Sequence, residues 1–267
     1  MKTVRFHKYE GAGNDFVLID DRENVLREQL NQAVIARWCD RHFGIGADGL
    51  MLLRSHPDFD FEMVYYNSDG APSTMCGNGG RCIVRFARQL GIHREEYHFL
   101  AVDGPHRARL LPEGVSLEMQ NVTTVEELSS GAFQLDTGSP HYVSFVDSCG
   151  AINVPERGRA IRQSAPYAAE GINVNFVEQS GADELSIGTY ERGVEDETLA
   201  CGTGVTAAAI AASIRTGIAP NTSFHWTVRA KGGQLAVRGH YDGRQFADVW
   251  LEGPATYVFS GEIAFAR

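Results

Sequence analysis

Short runs rich in Val, Phe and Tyr recur between turn signals, and they predict strands at Tyr97 to Ala101 and Arg107 to Leu111 with Asp103-Gly104-Pro105 turning between them. A second such pair flanks Leu111-Pro112-Glu113-Gly114. The same pattern returns at Phe133 to Asp136, Tyr142 to Val146, Ile172 to Val177, Glu184 to Tyr190, Ser223 to Ala230 and Gln245 to Leu251. Helical patterning is confined to Leu26 to Arg41, Gly77 to Leu90, Arg157 to Gln163 and the alanine-rich Gly202 to Arg215. Strands therefore outnumber helices in a mixed order, which predicts an α/β fold of the α+β type.

One internal comparison organises the chain. Met75-Cys76-Gly77-Asn78-Gly79-Gly80 and Ala200-Cys201-Gly202-Thr203-Gly204-Val205 share C-G-x-G, each directly before a helical run that ends near a glycine, Gly91 or Gly217. The cysteines are 201 − 76 = 125 positions apart, close to half of 267 residues, so each copy has room for a layer of sheet and one central helix. Two related halves follow: 1–125 carrying Cys76 and 126–267 carrying Cys201, with the last strand free to pack back on the first half. The boundary is expected near Val122 to Ser130, where Thr123-Thr124 and Ser129-Ser130-Gly131 interrupt the strand pattern.

Composition narrows the function. The chain is 43% hydrophobic, enough for a substantial core. With 24 basic against 34 acidic side chains and no basic block, nucleic acid is a poor partner. Met1-Lys2-Thr3-Val4-Arg5-Phe6 has no signal-peptide apolar region and no segment is apolar for the roughly 18 residues a bilayer requires, so a cytoplasmic protein without a membrane partner is expected. Cys39, Cys76, Cys82, Cys149 and Cys201 form no C-x-x-C pair, which argues for reduced thiols and against a disulfide framework or a metal site. The Gly11-Ala12-Gly13 stretch is weak as a dinucleotide fingerprint because no strand-turn-helix unit surrounds it.

A helix start presents unpaired N–H groups and the positive end of the helix dipole, so it attracts carboxylates and favours thiolate over thiol. A cysteine there is expected below the usual pKa of about 8.5. One such site alone could be a nucleophile, a redox sensor or mere packing, and packing is the commoner case for a buried cysteine. Two copies facing each other across a cleft would put a sulfur on each face of one carbon, which is what inverting a stereocentre by proton transfer requires. The pair would hold one proton between them and titrate as a pair. Helix N-termini aimed at the carboxylate would stabilise the developing carbanion, and no pyridoxal-lysine motif or P-loop calls for a cofactor. Cys39, Cys82 and Cys149 lack this context and read as structural.

At these residues the sequence resembles the diaminopimelate epimerases over nearly its whole length. The motifs are Gly11 to Phe16 (G-x-G-N-D-F), Gly44 to Gly49, Asn67 to Gly70, Met75 to Cys82, Gly138 to His141 (G-x-P-H), Gly171 to Val174, Glu191 to Gly193 and Glu197 to Gly204. The resemblance implies two similar α/β domains, each a mixed sheet wrapped around a central helix, with the active site in the cleft between them, and a homodimer. It implies cofactor-independent interconversion of LL- and meso-2,6-diaminopimelate, a small diamino-dicarboxylic acid on the way to lysine and peptidoglycan. Cys76 and Cys201 would be the proton-transfer groups. Gly77, Asn78, Gly202 and Thr203 would hold the reacting end. Asn14, Asn67, Asn173 and Arg192 would hold the other, Arg192 pairing with its carboxylate. His141 and Glu191 would orient and tune the reacting groups.

Plainer readings exist for each. Asn14, Asn67 and Asn173 suit turns with unusual backbone angles, and Glu191-Arg192 suits a solvated ion pair worth under about 1 kcal/mol. The chain departs from the family at Ser139 (commonly Asn), Gly49 (commonly Gln) and Ala71 (commonly Ser), so a water or a neighbour has to complete the contact that Ser139 is too short to make. The rival functions are a two-cysteine racemase for a single-centre amino acid, which would leave a buried Arg192 without a partner, a non-catalytic amino-acid-binding protein, and a redox sensor in which Cys76 and Cys201 form a working disulfide.

Overall fold

Exposed Thr3 and Arg5 alternate with buried Val4 and Phe6, which gives β1 (Thr3–Gly11) one face in a core. The computed structural model describes residues 3–26, 29–73 and 75–265. After β1 come β2 (Asn14–Asp20), α1 (Gln32–Cys39), β3 (Gly49–Arg54), β4 (Phe61–Asn67), α2 (Gly77–Gln89), β5 (Glu96–Ala101), β6 (Gly104–Leu111) and β7 (Gly114–Glu118). The second stretch holds β8 (Val125–Glu127), β9 (Phe133–Asp136), β10 (Pro140–Phe145), α3 (Val154–Arg162), β11 (Asn173–Gln179), β12 (Glu184–Glu191), β13 (Asp196–Thr198), α4 (Gly202–Arg215), β14 (Thr222–Ala230), β15 (Gly233–Tyr241) and β16 (Phe246–Gly253), before β17 (Thr256–Ala264). Met1–Leu117 with Gly253–Arg267 form one compact unit and Glu118–Glu252 the other, so the change of unit falls at Leu117/Glu118.

The two units repeat one strand order. In the first, β1–β2 is antiparallel, β2–β3 parallel, β3–β4 antiparallel, β4–β5 parallel, and β5–β6 and β6–β7 antiparallel. In the second, β9–β10, β10–β11, β11–β12, β12–β14, β14–β15 and β15–β16 follow the same alternation. β17 pairs antiparallel with β1 as β8 does with β9. Each parallel step is bridged by a helix, α1 or α3 for the first and α2 or α4 for the second. The first unit wraps α2 in contacts from β1, β2, β3 and β6, and the second surrounds α4 with β9 to β12, β14 and β15. A mixed sheet around one central helix is thus built twice.

The central helices end alike. Gly91 (φ 87°) and Gly217 (φ 74°) take the left-handed conformation that only glycine adopts without strain. Ile92 N–H donates to Ala87 O and Gly91 N–H to Arg88 O. Ile218 N–H and Gly217 N–H make the matching bonds to Ser213 O and Ile214 O, so both carry a Schellman cap. Helix α1 is shorter than the Leu26 to Arg41 expectation. Asn31 accepts from Val34 N and starts it, buried Leu26 packs as loop, and positions 27 and 28 lie outside the described residues. Helix α3 starts earlier than Arg157 because Asn153 caps it and a proline occupies its first turn. Among the described residues no helix is long and apolar enough to cross a membrane.

Candidate active site

Both motif cysteines are helix N-caps. Cys76 (φ −116°, ψ 125°) precedes α2 and Cys201 (φ −110°, ψ 110°) precedes α4, and neither side chain caps its helix. Their carbonyls accept the first helical bonds, from Gly80 N and Val205 N. The cysteine side chains therefore do not compete for the first-turn N–H groups of α2 and α4, and a helix start of this kind suits an anion.

In the first unit two sequence motifs meet at Cys76. Residues Gly11 to Asn14 make a two-residue hairpin, with Ala12 (φ 54°) and Gly13 (φ 84°) both left-handed, which suits a glycine at 13. The hairpin presents Asn14, whose Nδ2 donates to Asp48 Oδ2 at 2.6 Å. Ionised Asp48 can only accept, so Asn14 Oδ1 must face the other way, toward Cys76 Sγ at 3.6 Å and Asn78 Nδ2 at 3.3 Å. In this arrangement the Cys76 thiol is the donor. Arg41 ties Asp48 (2.7 Å) to Asp15 (2.7 Å), and Lys8 closes on Asp15 at 2.6 Å. Burial would raise the Asp15 carboxyl, but the Arg41 and Lys8 bonds hold it down at about 2.

Beneath the first turn of α2 lies Arg81, fully buried. Its guanidinium donates to Asn78 Oδ1 (2.8 Å), Pro254 O (3.2 Å) and Gly77 O (3.3 Å), all neutral acceptors. Burial lowers its pKa, yet an arginine keeps its charge. It thus adds a positive charge to a helix end that already favours anions. The sequence reading assigned Arg81 no role, although a cation beside Cys82-Ile83-Val84 in a helix core was a signal.

In the second unit Cys201 is buried, with Sγ 3.4 Å from Thr203 Oγ1, and Thr137 Oγ1 donates to Thr203 O at 2.9 Å. His141 is wholly buried and its pKa falls to about 3, first through burial and then through the Arg192 charge. Asn175 and Gly204 pack against it. A Cβ at Gly204 would stand 2.4 Å from Asn175 Oδ1, 3.4 Å from His141 Cε1 and 3.4 Å from Cys201 Cβ, so the second glycine of this C-G-x-G makes room for an amide. Glu191, at the end of β12, is pushed up by burial while the Thr198 hydroxyl opposes the shift.

Asn173 is buried and turned inward. Its Nδ2 donates to Ser139 Oγ (2.8 Å) and Pro140 O (3.1 Å), and its Oδ1 accepts from Arg192 N (2.8 Å). Asn173 is thus a direct hydrogen-bond partner of Ser139, the position where the chain departs from the family. Asn67 ends β4, exposed, in a turn closed by Gly70 N–H on its carbonyl. None of Asn14, Asn67 and Asn173 has a positive φ, so unusual backbone angles do not explain them. Arg192 is exposed rather than buried, since it follows the last residue of β12 in a turn, and one N–H goes to Glu170 O at 3.2 Å. Among the described residues it forms no ion pair with Glu191. Gly49 is filled: a Cβ there would meet the Tyr65 ring at 2.5 Å and Tyr66 O at 2.6 Å.

The remaining cysteines differ in kind. Burial pushes Cys39 to about 12 and Cys149 to about 11 and raises Cys82 further still, and Cys149 Sγ donates to Phe176 O and Ser186 O. A cavity of about 550 Å³, lined by Tyr9, Arg85, Gln89 and Tyr257 among others, lies at the C-terminal end of α2. That is about 20 Å along the helix from Cys76 and away from this chemistry.

Solved structures share this fold: a Bacillus anthracis phenazine biosynthesis protein of the PhzF family (TM-score 0.74, 14% identity, 99% of this chain and 100% of that one) and a hydroxyproline epimerase from Agrobacterium vitis (0.65, 14%, 98% and 91%). Fold and duplicated cysteine sites thus define a two-unit α/β protein on a scaffold that epimerases also use. The family model for diaminopimelate epimerase matches residues 6–125 and 133–258. Diaminopimelate epimerases of *Flavobacterium psychrophilum* and *Chlorobaculum tepidum* are 48% and 42% identical, over 97% and 95% of this chain and 100% and 98% of theirs. The chain belongs to the diaminopimelate epimerase family.

Proposed function

We propose that the chain is a cofactor-independent isomerase that interconverts LL- and meso-2,6-diaminopimelate, with Cys76 and Cys201 moving a proton between opposite faces of one α-carbon. The observation that carries this is the matched pair of cysteine N-caps on the central helices of two like-built units. Each offers a sulfur beside N–H groups suited to an α-carboxylate. One sulfur takes the α-proton as thiolate while the other, as thiol, returns one from the far side; the charge left on the substrate is held by the helix N-termini. Gly77, Asn78, Gly202 and Thr203 bind the reacting carboxylate and amine, and Asn14 holds Cys76. Glu191 and His141 act beside the sulfurs. Asn67, Asn173 and the exposed Arg192 serve the distal end, where the guanidinium has N–H groups to offer a second carboxylate. That last feature favours a diacid over a single-centre amino acid.

The same reading places the chain in the cytoplasm as a homodimer. Exposed Tyr257, Val258 and Phe259 on β17 offer an apolar stretch for self-association.

The test is incubation with LL-diaminopimelate in D2O, following meso product and deuterium together. The expected result is inversion with label at one α-carbon only. Cys76→Ala and Cys201→Ala should each lower the rate of inversion by at least about 10³-fold, within the range for lost acid–base groups. Near-normal inversion in either variant would remove that cysteine from its role.

A further inference from the structure

We propose that Asn175, a residue outside the roles described above, fixes His141 as the neutral tautomer protonated on Nε2, so that His141 acts on the reaction as a hydrogen-bond donor and never as a proton acceptor. This deepens the proposed epimerase reading and rests on it for the reaction, though not for the tautomer.

Asn175 sits in β11 between buried Val174 and Phe176, itself buried. One polar partner is the backbone carbonyl of Tyr142, 3.1 Å from Nδ2. A carbonyl cannot donate, so the NH2 group must lie on that side. The Oδ1 atom then accepts from Thr189 Oγ1 at 3.0 Å, which pins the amide from its other face. With its orientation set by the Tyr142 carbonyl, the amide can only donate to His141 Nδ1, 3.1 Å away. A nitrogen that accepts this bond carries no proton, so the proton of the neutral ring is on Nε2.

That Nε2 is buried and has no hydrogen-bond partner among the described residues. An unsatisfied buried donor is destabilising, and its retention here fits an acceptor that arrives during function. The neighbouring ring atom Cε1 lies against Gly204, three residues past Cys201. The acceptors that the reaction brings to this turn are the Cys201 thiolate and the substrate carboxylate, both anions. The one charged group seen to act on the ring is the Arg192 guanidinium, which together with burial disfavours an imidazolium. A neutral N–H donor is thus left where negative charge appears.

The experiment is long-range ¹H–¹⁵N correlation of the full-length protein labelled with ¹⁵N-histidine, with His141 assigned by its loss in His141→Gln. The expected spectrum shows His141 with Nδ1 unprotonated and Nε2 protonated, unchanged between pH 5 and pH 9. An Nδ1–H tautomer, or an imidazolium in that range, would overturn the proposal. Asn175→Asp supplies the kinetic arm, because a carboxylate accepts from Nδ1–H and moves the proton off Nε2. The expected result is a fall in kcat of about 10²–10³-fold, the scale for one lost donor at a developing anion, with KM changed by less than about threefold. A variant that shows the switched tautomer by NMR yet retains kcat would also overturn it. The tautomer is read without substrate, so a protein that fails to epimerise diaminopimelate but shows Nε2–H refutes the functional reading and leaves the histidine assignment standing.

Discussion

The two copies of C-G-x-G are alike in backbone and different in what lies beneath them. Both cysteines are extended N-caps and both helices close on a Schellman glycine. Five residues past the cysteine, however, Arg81 and Thr206 make the same bond, to the carbonyl of the residue four back, one from a guanidinium and the other from a hydroxyl. The first site therefore rests on a fixed buried charge and an ion-pair network that runs from buried Lys8 through Asp15 to exposed Arg41 and Asp48. At the second, the buried groups around His141 are neutral, Asn175, Thr189 and Thr137, and the Arg192 charge acts on the ring from an exposed turn. The geometry that an amino acid's carboxylate needs has been kept in duplicate, while the electrostatics has diverged. A symmetric pair would hold either sulfur equally; this one distinguishes them.

The largest expected difference lies between the equivalent substitutions Arg81→Met and Thr206→Val. Arg81→Met removes the charge and releases Asn78 and Gly77, so kcat/KM for diaminopimelate should fall at least about tenfold, the scale of a lost charge-assisted bond. Thr206→Val removes only a back-bond inside a helix and should leave kcat/KM within about threefold. Equal effects of the two would mean the charge does nothing for the anion.

The glycines give the next contrast. Gly204→Ala drives a Cβ into an amide held by Thr189 and should cost about 1–3 kcal/mol in denaturant unfolding, with a loss of turnover. At Gly79 the added Cβ meets the terminal methyl of Met51, a side chain that can swing away, so Gly79→Ala should cost less than about 1.5 kcal/mol. A reversed order would show that Asn175 is not held rigidly.

The smallest expected effect is on stability against pH. His141 has a folded pKa of about 3 against 6.5 ordinarily. The unfolded chain therefore binds a proton that the folded one refuses, and stability falls as pH drops from about 6.5 toward about 3. Its slope is bounded at about 1.4 kcal/mol per pH unit. Glu191, raised by burial, works in the opposite sense, its contribution being lost as pH rises through 4.5 and above. His141→Gln should flatten the fall between pH 6.5 and 4 in urea titrations. An unchanged slope would assign the loss to other groups.

Much of this was legible before any coordinates. Helix α4 runs over Gly202–Arg215 and β9 over Phe133–Asp136, as their patterns predict, because alanine periodicity and a short alternating run are local signals. The cap positions of both cysteines were equally local. What escaped is long-range or directional. The return of the last strand to the first half was an expectation, but its partner and register, β1 against β17 at Thr3↔Ala264, are encoded by no neighbouring residue. Polar side chains inside apolar runs, Arg81 and Asn175, could be seen as anomalies, but only the partners' donor and acceptor character gives them a role. The exposure of Arg192 followed from a turn that its sequence did not distinguish from a buried strand end.

The central claim is that Cys76 and Cys201 serve a single carbon, and oxidation measures it most directly. Exposure of the reduced protein to mild oxidant, followed by peptide mass spectrometry and assay, should yield an intramolecular Cys76–Cys201 disulfide, loss of epimerase activity in proportion, and full recovery with a thiol reductant. Oxidised protein that carries this disulfide and retains full activity, or thiols that never couple while activity persists, would contradict it.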